Sequence, residues 1–452
     1  MTKHISKKPN SNTSSEGMIG TSPVTTIPER RDAVSSIVVT TGLAPVMSHV
    51  ALFVTLAAIY LLVFISQVTI HPPGVGGGSH FILLADGWLH GHLYVEGTPA
   101  NLADFTHYKG HWYVAFPPLP AILMLPFVAI FHLSYQSIIT LSFSVGMGIL
   151  NIWLMQQVLL RLVRRGVLSE HFATTAWLLV FFALGTELLY TTMKGSVWFV
   201  AHVVATTFLL LYIYEMLGKQ RAWLAALFLG LAALSRSTTL FAFPFFLVWT
   251  FAQERRRPLI QLRQWSIFGG VLGVILAGML LYNYARFGSL LDFGYNGMNV
   301  SPVVSDLLRN YGQFSTHFLP INTRFMLLEP PKFIKVFPYV TFNPFGTSIF
   351  LTMPGLLFAF LGFRRREQHW LAASLLAGCV LPIAAVSLYF NTGWYQFGYR
   401  FALDFLPFLF LLAALGMAER LRWSEKTLIV LSVLMNVWGY FVFAYFRPPL
   451  LG

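Results

Sequence analysis

The chain has 452 residues, 56% hydrophobic and only 10% charged, against roughly 25% charged in soluble domains. That excludes a water-soluble globular enzyme and implies a polytopic all-α membrane protein whose helices satisfy their own backbone polar groups. The net charge of +13 does not mark a nucleic-acid binder, because its lysines and arginines fall in short clusters between apolar runs, as cytoplasmic membrane loops require.

Residues 1–44 are basic, rich in Ser and Thr and poor in large apolar side chains. Such a segment buries too little surface to offset its ordering entropy, so it reads as a disordered cytoplasmic tail. It has no apolar stretch near its start of the kind a cleavable signal needs. Residues 45–452 read as one transmembrane domain. The first apolar run, 46–70, exceeds the ~20 residues that cross a bilayer as helix. Lys7, Lys8, Arg30 and Arg31 precede it, which places the amino terminus inside and the next stretch outside.

That stretch, 71–134, is the first outer loop. Before Phe116 it holds six of the thirteen histidines, the carboxylates Asp86, Glu96 and Asp104, and many aromatic rings. Its end, 119–133, is short and is preceded or interrupted by Pro117, Pro118, Pro120 and Pro126; as helix it reaches only ~22 Å. The following run, 137–163, ends at Arg161, Arg164 and Arg165. That basic cluster stays inside only if one of the two runs spans, so 119–133 is expected to lie in the outer interface.

Alternation then continues. Runs 172–193 and 198–217 cross out and back, and 222–252 is too long for one span and short for two. Basic residues at both its flanks make it a hairpin with its apex at 235–239, which carries Arg236. Run 265–284 leads to a second outer loop, 285–346. Runs 347–363, 370–390, 401–417 and 427–446 complete eleven expected spans, with both large loops extracytoplasmic and the whole chain in the plasma membrane. A lone cysteine, Cys379, excludes an intrachain disulfide.

Candidate chemistry concentrates in the loops. On a helix, Asp86 and His90 lie four apart on one face, suited to a general base or to an interfacial helix among headgroups. No thiolate accompanies them, so no metal or other cofactor is expected. Asp104 fits either a base or a turn cap. His111, Trp112, Tyr113 and Trp394 suit sugar stacking or an aromatic belt. Arg400 and Asp404 lie four apart in an apolar run, either neutralising each other or holding an anionic group on Arg400. Arg236, Lys335, Arg286 and Lys332 are weaker candidates for the same phosphate-like ligand, and Glu187, near the outer end of its run, for a role like that of Asp404.

Taken in order, LADGWLHGHLYV, YKGHWYVAFPPLPAILMLPF, GLAALSRSTTLFAFPFFL, NYARFGSLLDFGY and GWYQFGYRFALDFLPF resemble recurring stretches of the GT-C membrane glycosyltransferases, near family 39. The similarity covers most of the chain after the tail. It implies a GT-C-like fold and transfer, on the outer face, of a sugar from a polyprenyl-phosphate donor to an acceptor hydroxyl on a glycan, lipid or protein, with membrane lipids as the other partners and no nucleic acid. It implies a loop carboxylate as base, for which Asp86 is the first choice and Asp104 the second. It also implies basic residues on the phosphate: Arg400 first, then Arg236 and Lys335. His90, His111, Trp112, Tyr113 and Trp394 would bind substrate. The sequence departs from the family where an aspartate usually follows the first span, since Gly76, Gly77, Gly78, Ser79 and His80 stand there. A transporter and a catalytically inactive scaffold of the same fold are the alternatives.

Overall fold

The computed structural model describes residues 31–70, 80–417 and 419–446, with side chains from Met47 onward. Residues 1–30 of the expected tail, and the stretch at 76–79 where the family aspartate is missing, lie outside them. Contacts divide the chain into Met1–Met47 and a second unit, Ser48–Gly452, which holds every candidate site residue. The first helix, α1 (Arg31–Ile70), begins within the stretch assigned to the tail.

The stretch 71–134 contains α2 (His80–Leu89), the antiparallel strands β1 (Phe105–Tyr108) and β2 (His111–Val114), and α3 (Leu119–Phe131). α3 packs on α2 and breaks from α4 (Gln136–Arg164) at His132, whose φ is +51°. Together 119–164 make 46 residues, about 69 Å of helix, more than twice the ~30 Å hydrocarbon layer.

α5 (Phe172–Leu184) and α6 (Leu188–Lys194) are bent by 41° about Glu187. Beyond them α7 (Val197–Met216) is apolar and buried on all sides, the pattern of a helix at the centre of a bundle. Polar side chains fix its register on α4. Ser144 donates to the Thr192 carbonyl at 2.8 Å, Asn151 to that of Val203 at 2.9 Å, and Arg161 to that of Tyr214 at 2.7 Å. The start of α4 therefore lies beside the start of α7, and the basic end of α4 beside the end of α7.

α8 (Ala222–Ala233) runs back along α7, and α9 (Pro244–Glu254) returns, its Trp249 donating to the Met216 carbonyl. The apex between them carries Arg236 and closes on the start of α7, where Ser235 bonds the Ala201 carbonyl at 2.7 Å. α10 (Pro258–Phe287) packs on α8.

The second long loop, 285–346, holds α11 (Pro302–Tyr311), α12 (Leu319–Thr323) and a short hairpin of β3 (Lys332–Phe333) with β4 (Val340–Thr341). It locks onto the first loop: Thr106 donates to the Gly294 carbonyl, Tyr108 to that of Phe287, and Asn299 exchanges backbone bonds with Asp104 and Phe105. The remaining helices are α13 (Ile349–Thr352), α14 (His369–Leu388), α15 (Leu406–Gly416) and α16 (Trp423–Phe441).

The expected eleven spans are not all single helices. Among the described residues six helices are long and apolar enough to cross a membrane, or seven if the bent α5–α6 pair counts as one. Runs 222–252, 347–363 and 401–417 are broken into shorter pieces. Breakers explain this: Pro244, Pro354 and Pro407 each open a new helical segment, as residues that cannot donate into a preceding turn.

Candidate active site

The apex of the α8–α9 hairpin, the start of α7 and the tight turn before α15 converge on Asp404, which is fully buried. Arg236 approaches it with both Nε (3.4 Å) and Nη2 (3.2 Å), His202 Nδ1 lies 2.8 Å away, and the Thr238 hydroxyl donates to Oδ2. Four atoms of three residues, from α7 and the α8–α9 apex, thus satisfy one carboxylate, as a buried charge requires. The guanidinium of Arg236 also lies over the Phe401 ring, 5.0 Å from its centroid.

This is not the pairing the sequence suggests. Arg400 and Asp404 sit four apart, but residues Arg400–Asp404 form a 3₁₀ turn. With three residues per turn, position i+3 lies over i and position i+4 is turned roughly a third of a revolution away. Asp404 therefore meets Arg236 instead of Arg400. Arg400 is nonetheless buried, its Nη1 donating to the Trp394 carbonyl at 3.2 Å and to Gln396 Oε1 at 3.1 Å. Its Nε has no partner, and among the described residues no carboxylate pairs with it. Phe199 and Phe401 flank it, each ring centroid 4.9 Å away.

A cavity of about 150 Å³ opens beside Arg236, walled by Trp198, Arg236, Thr238, Tyr295, Phe314 and Tyr389. Asp104 is not one of the lining residues but bonds to Trp198, which is. The Trp198 side chain donates to its carboxylate, and the charge of Arg400 acts on it. Tyr295 and Tyr389, hydrogen-bonded to each other, feel the charges of both Asp104 and Arg236. Burial raises the Asp104 pKa above the usual carboxylate range, with Trp198 and Arg400 pulling the other way.

The backbone holds Asp104 in place. Its φ of +64° is a left-handed conformation that aspartate tolerates better than most residues. Its N–H donates to Asn299 of the second loop at 2.9 Å. The preceding carbonyl, of Ala103, lies 2.9 Å from His80 Nε2, and the His80 ring stacks on Phe105 at 4.0 Å. Burial pushes the His80 imidazole down to about 4, so it is neutral there.

Asp86 lies in a different place. It faces His90 (Nδ1 to Oδ2 3.7 Å), with Glu96 and His132 nearby, and burial raises its pKa. Ligand-type atoms of Asp86, His90 and Glu96 lie within 4.8 Å of one another, a spacing that could hold a cation, although His90 Nδ1 already contacts the Asp86 carbonyl at 3.0 Å.

The other candidates do not reach the cavity wall. His111 stacks on Tyr94 and Trp112 leans on His107. Tyr113 packs on Phe287, and the half-exposed Trp394 on Phe345. Lys335 is exposed in the turn between β3 and β4. Glu187 is buried against Gly398. Sequence reasoning missed His202, Trp198, Tyr295 and Tyr389. His202 carries a readable signal, being the one titratable residue in the run VWFVAHVVAT; the tyrosines carry none.

Three solved structures of the oligosaccharyltransferase of Archaeoglobus fulgidus are similar to the chain. The apo form matches with 15% identity and a TM-score of 0.44, over 88% of this chain and 55% of that one. The protein, AglB, in complex with an inhibitory peptide and a dolichol-phosphate matches with 16% identity and a TM-score of 0.43, over 88% and 55%. The form tethered to an acceptor peptide containing the NVT sequon matches with 15% identity and a TM-score of 0.42, over 88% and 54%. The chain thus spans about half the length of these structures, and no residue's role follows from superposition at this level. No family model and no curated protein matches the chain.

Proposed function

We propose that the chain is an integral-membrane glycosyltransferase that moves a sugar from a polyprenyl-phosphate donor to an acceptor hydroxyl on the outer face of the membrane, with Asp104 as base. The observation that carries this reading is a half-buried carboxylate, Asp104, within the field of a buried guanidinium, Arg400, which makes no ion pair among the described residues, near a cavity walled by Arg236. Asp104 takes the acceptor's proton as the acceptor oxygen bonds to the sugar's anomeric carbon. The bond from that carbon to the phosphate oxygen breaks with its electron pair, and the phosphate leaves with one more negative charge. Arg400 and Arg236 stabilise that charge. Asp86 is turned toward His90 and Glu96 and takes no part in this step.

The test is transfer from a radiolabelled polyprenyl-phosphate sugar in membranes carrying the full chain. Asp104→Asn lowers transfer by about 10²–10⁴-fold, the range for removal of a general base, while Asp86→Asn retains it. Wild-type transfer by Asp104→Asn removes this mechanism. Uptake of a solute by proteoliposomes without chemical change to it replaces the whole reading with a transporter.

A further inference from the structure

A second cavity, about 320 Å³, is at the other end of the helices. It is lined by His171, Ala173, Trp177, Arg420 and Lys426, among others, where α5 and α16 begin. The register of α4 on α7 sets its level. Arg161 bonds Tyr214 near the end of α7, and α5 starts seven residues after α4 ends. Arg365 then ties the α4–α5 link to the α15–α16 link through the carbonyls of Val167 and Met417. Asp104, near the start of α7, is one length of that 20-residue helix away, about 30 Å.

We propose that this cavity holds the headgroup of an anionic phospholipid. Its depth in the membrane follows from its walls, since they are the first turns of α16 and of the α5–α6 pair, both apolar enough to span. Phe172 and Trp423 are exposed there, as aromatic residues at a headgroup boundary are. The charge is of one sign. Among the described residues neither Arg420 nor Lys426 pairs with a carboxylate; Arg420 Nε donates to His171 Nε2 at 2.8 Å, and Lys426 lies over Trp423. Of the neighbouring acids, Glu425 accepts from the Arg422 N–H, Glu419 faces Arg365 at 3.9 Å, and Glu170 is exposed. No side chain caps the start of α5, so its amides add positive potential at Ala173. Two cations without a carboxylate partner among the described residues, an uncapped helix start and an apolar wall of Trp177 and Phe172 match a phosphodiester with its glycerol and upper acyl chains, the chemistry of basic clefts between membrane helices.

The experiment is native mass spectrometry of the full detergent-purified chain with added phosphatidylglycerol or phosphatidylcholine. The wild type retains phosphatidylglycerol preferentially. Arg420→Gln with Lys426→Gln lowers that retention by about fivefold per cation removed and leaves phosphatidylcholine unchanged. Ala173→Trp, which fills the cavity without altering charge, lowers it too and decides the matter if the double variant does not fold. Arg309→Gln, on an exposed outer helix, serves as the unaffected control. Undiminished preference in the double variant, or in Ala173→Trp, overturns the proposal. So does displacement of phosphatidylglycerol by millimolar inorganic phosphate, which marks a soluble-phosphate site.

Discussion

Arg236 and Arg400 offer a sharp test, because their surroundings predict different effects on stability. Arg236 is half of a made ion pair: two of its nitrogens lie 3.2 and 3.4 Å from Asp404, whose side chain is fully buried. Arg236→Gln leaves that carboxylate with His202 and Thr238 but no cation, and breaking a buried pair costs about 3–5 kcal/mol. Arg400 makes two hydrogen bonds to neutral oxygens and no ion pair. Arg400→Gln loses two charge-assisted bonds, about 3–6 kcal/mol, and regains about 1 kcal/mol from a neutral amide bond. It also relieves an uncompensated buried charge, which costs several kcal/mol. The net change for Arg400→Gln is thus within about 2 kcal/mol of zero. Its turnover nevertheless falls by about 10²–10³-fold, as when one donor to a developing anion is removed. The assay pairs denaturant unfolding of the detergent-solubilised variants with sugar transfer per folded molecule. Arg400→Gln as unstable as Arg236→Gln, or stable with full turnover, refutes the view that Arg400 is kept unpaired for a ligand.

The pH dependence of transfer follows from Asp104. A base acts when ionised, and burial raises the Asp104 pKa, so the acid limb of kcat/KM lies above the ordinary aspartate value of about 3.9 and disappears in Asp104→Asn. The same shift makes a stability prediction. A raised folded-state pKa contributes stability that is full below the unfolded value and lost as pH rises through the folded value. Asp104→Asn is therefore at least as heat-stable as wild type at neutral pH, and a thermal melt that falls instead contradicts the burial argument. At Gly398, φ is +61° and an added Cβ would sit 1.5 Å from Glu187 Oε1. Gly398→Ala combines left-handed strain of about 1–2 kcal/mol with overpacking of about 1–3 kcal/mol. Glu187→Ala recovers the overpacking part in a double-mutant cycle, and strictly additive losses contradict the contact.

What the sequence makes legible is what depends on runs and on local charge. The long apolar helices, the loop aromatics and the broken hairpin with Arg236 at its apex all follow from length, breakers and flanking basic residues. The apex is legible because α8 and α9 are each too short to cross alone while both ends are basic. What is not legible is which polar residues meet. The Arg400–Asp404 spacing reads as an ion pair only if the backbone is α-helical. The local choice of a 3₁₀ turn, imposed by packing against α7 and α14, sends Asp404 to residues 168 and 202 positions away. The order of preference between Asp86 and Asp104 turns on the same kind of information. Asp86 has the better local pattern, an imidazole four residues on, and that pattern is what spends it: the nearest basic group to its carboxylate is its own helical neighbour. Asp104 has no local partner to advertise it. Its surroundings come from Trp198, Arg400 and Asn299, each supplied by a different part of the chain, and a carboxylate whose partners are all remote stays inconspicuous until the chain is folded.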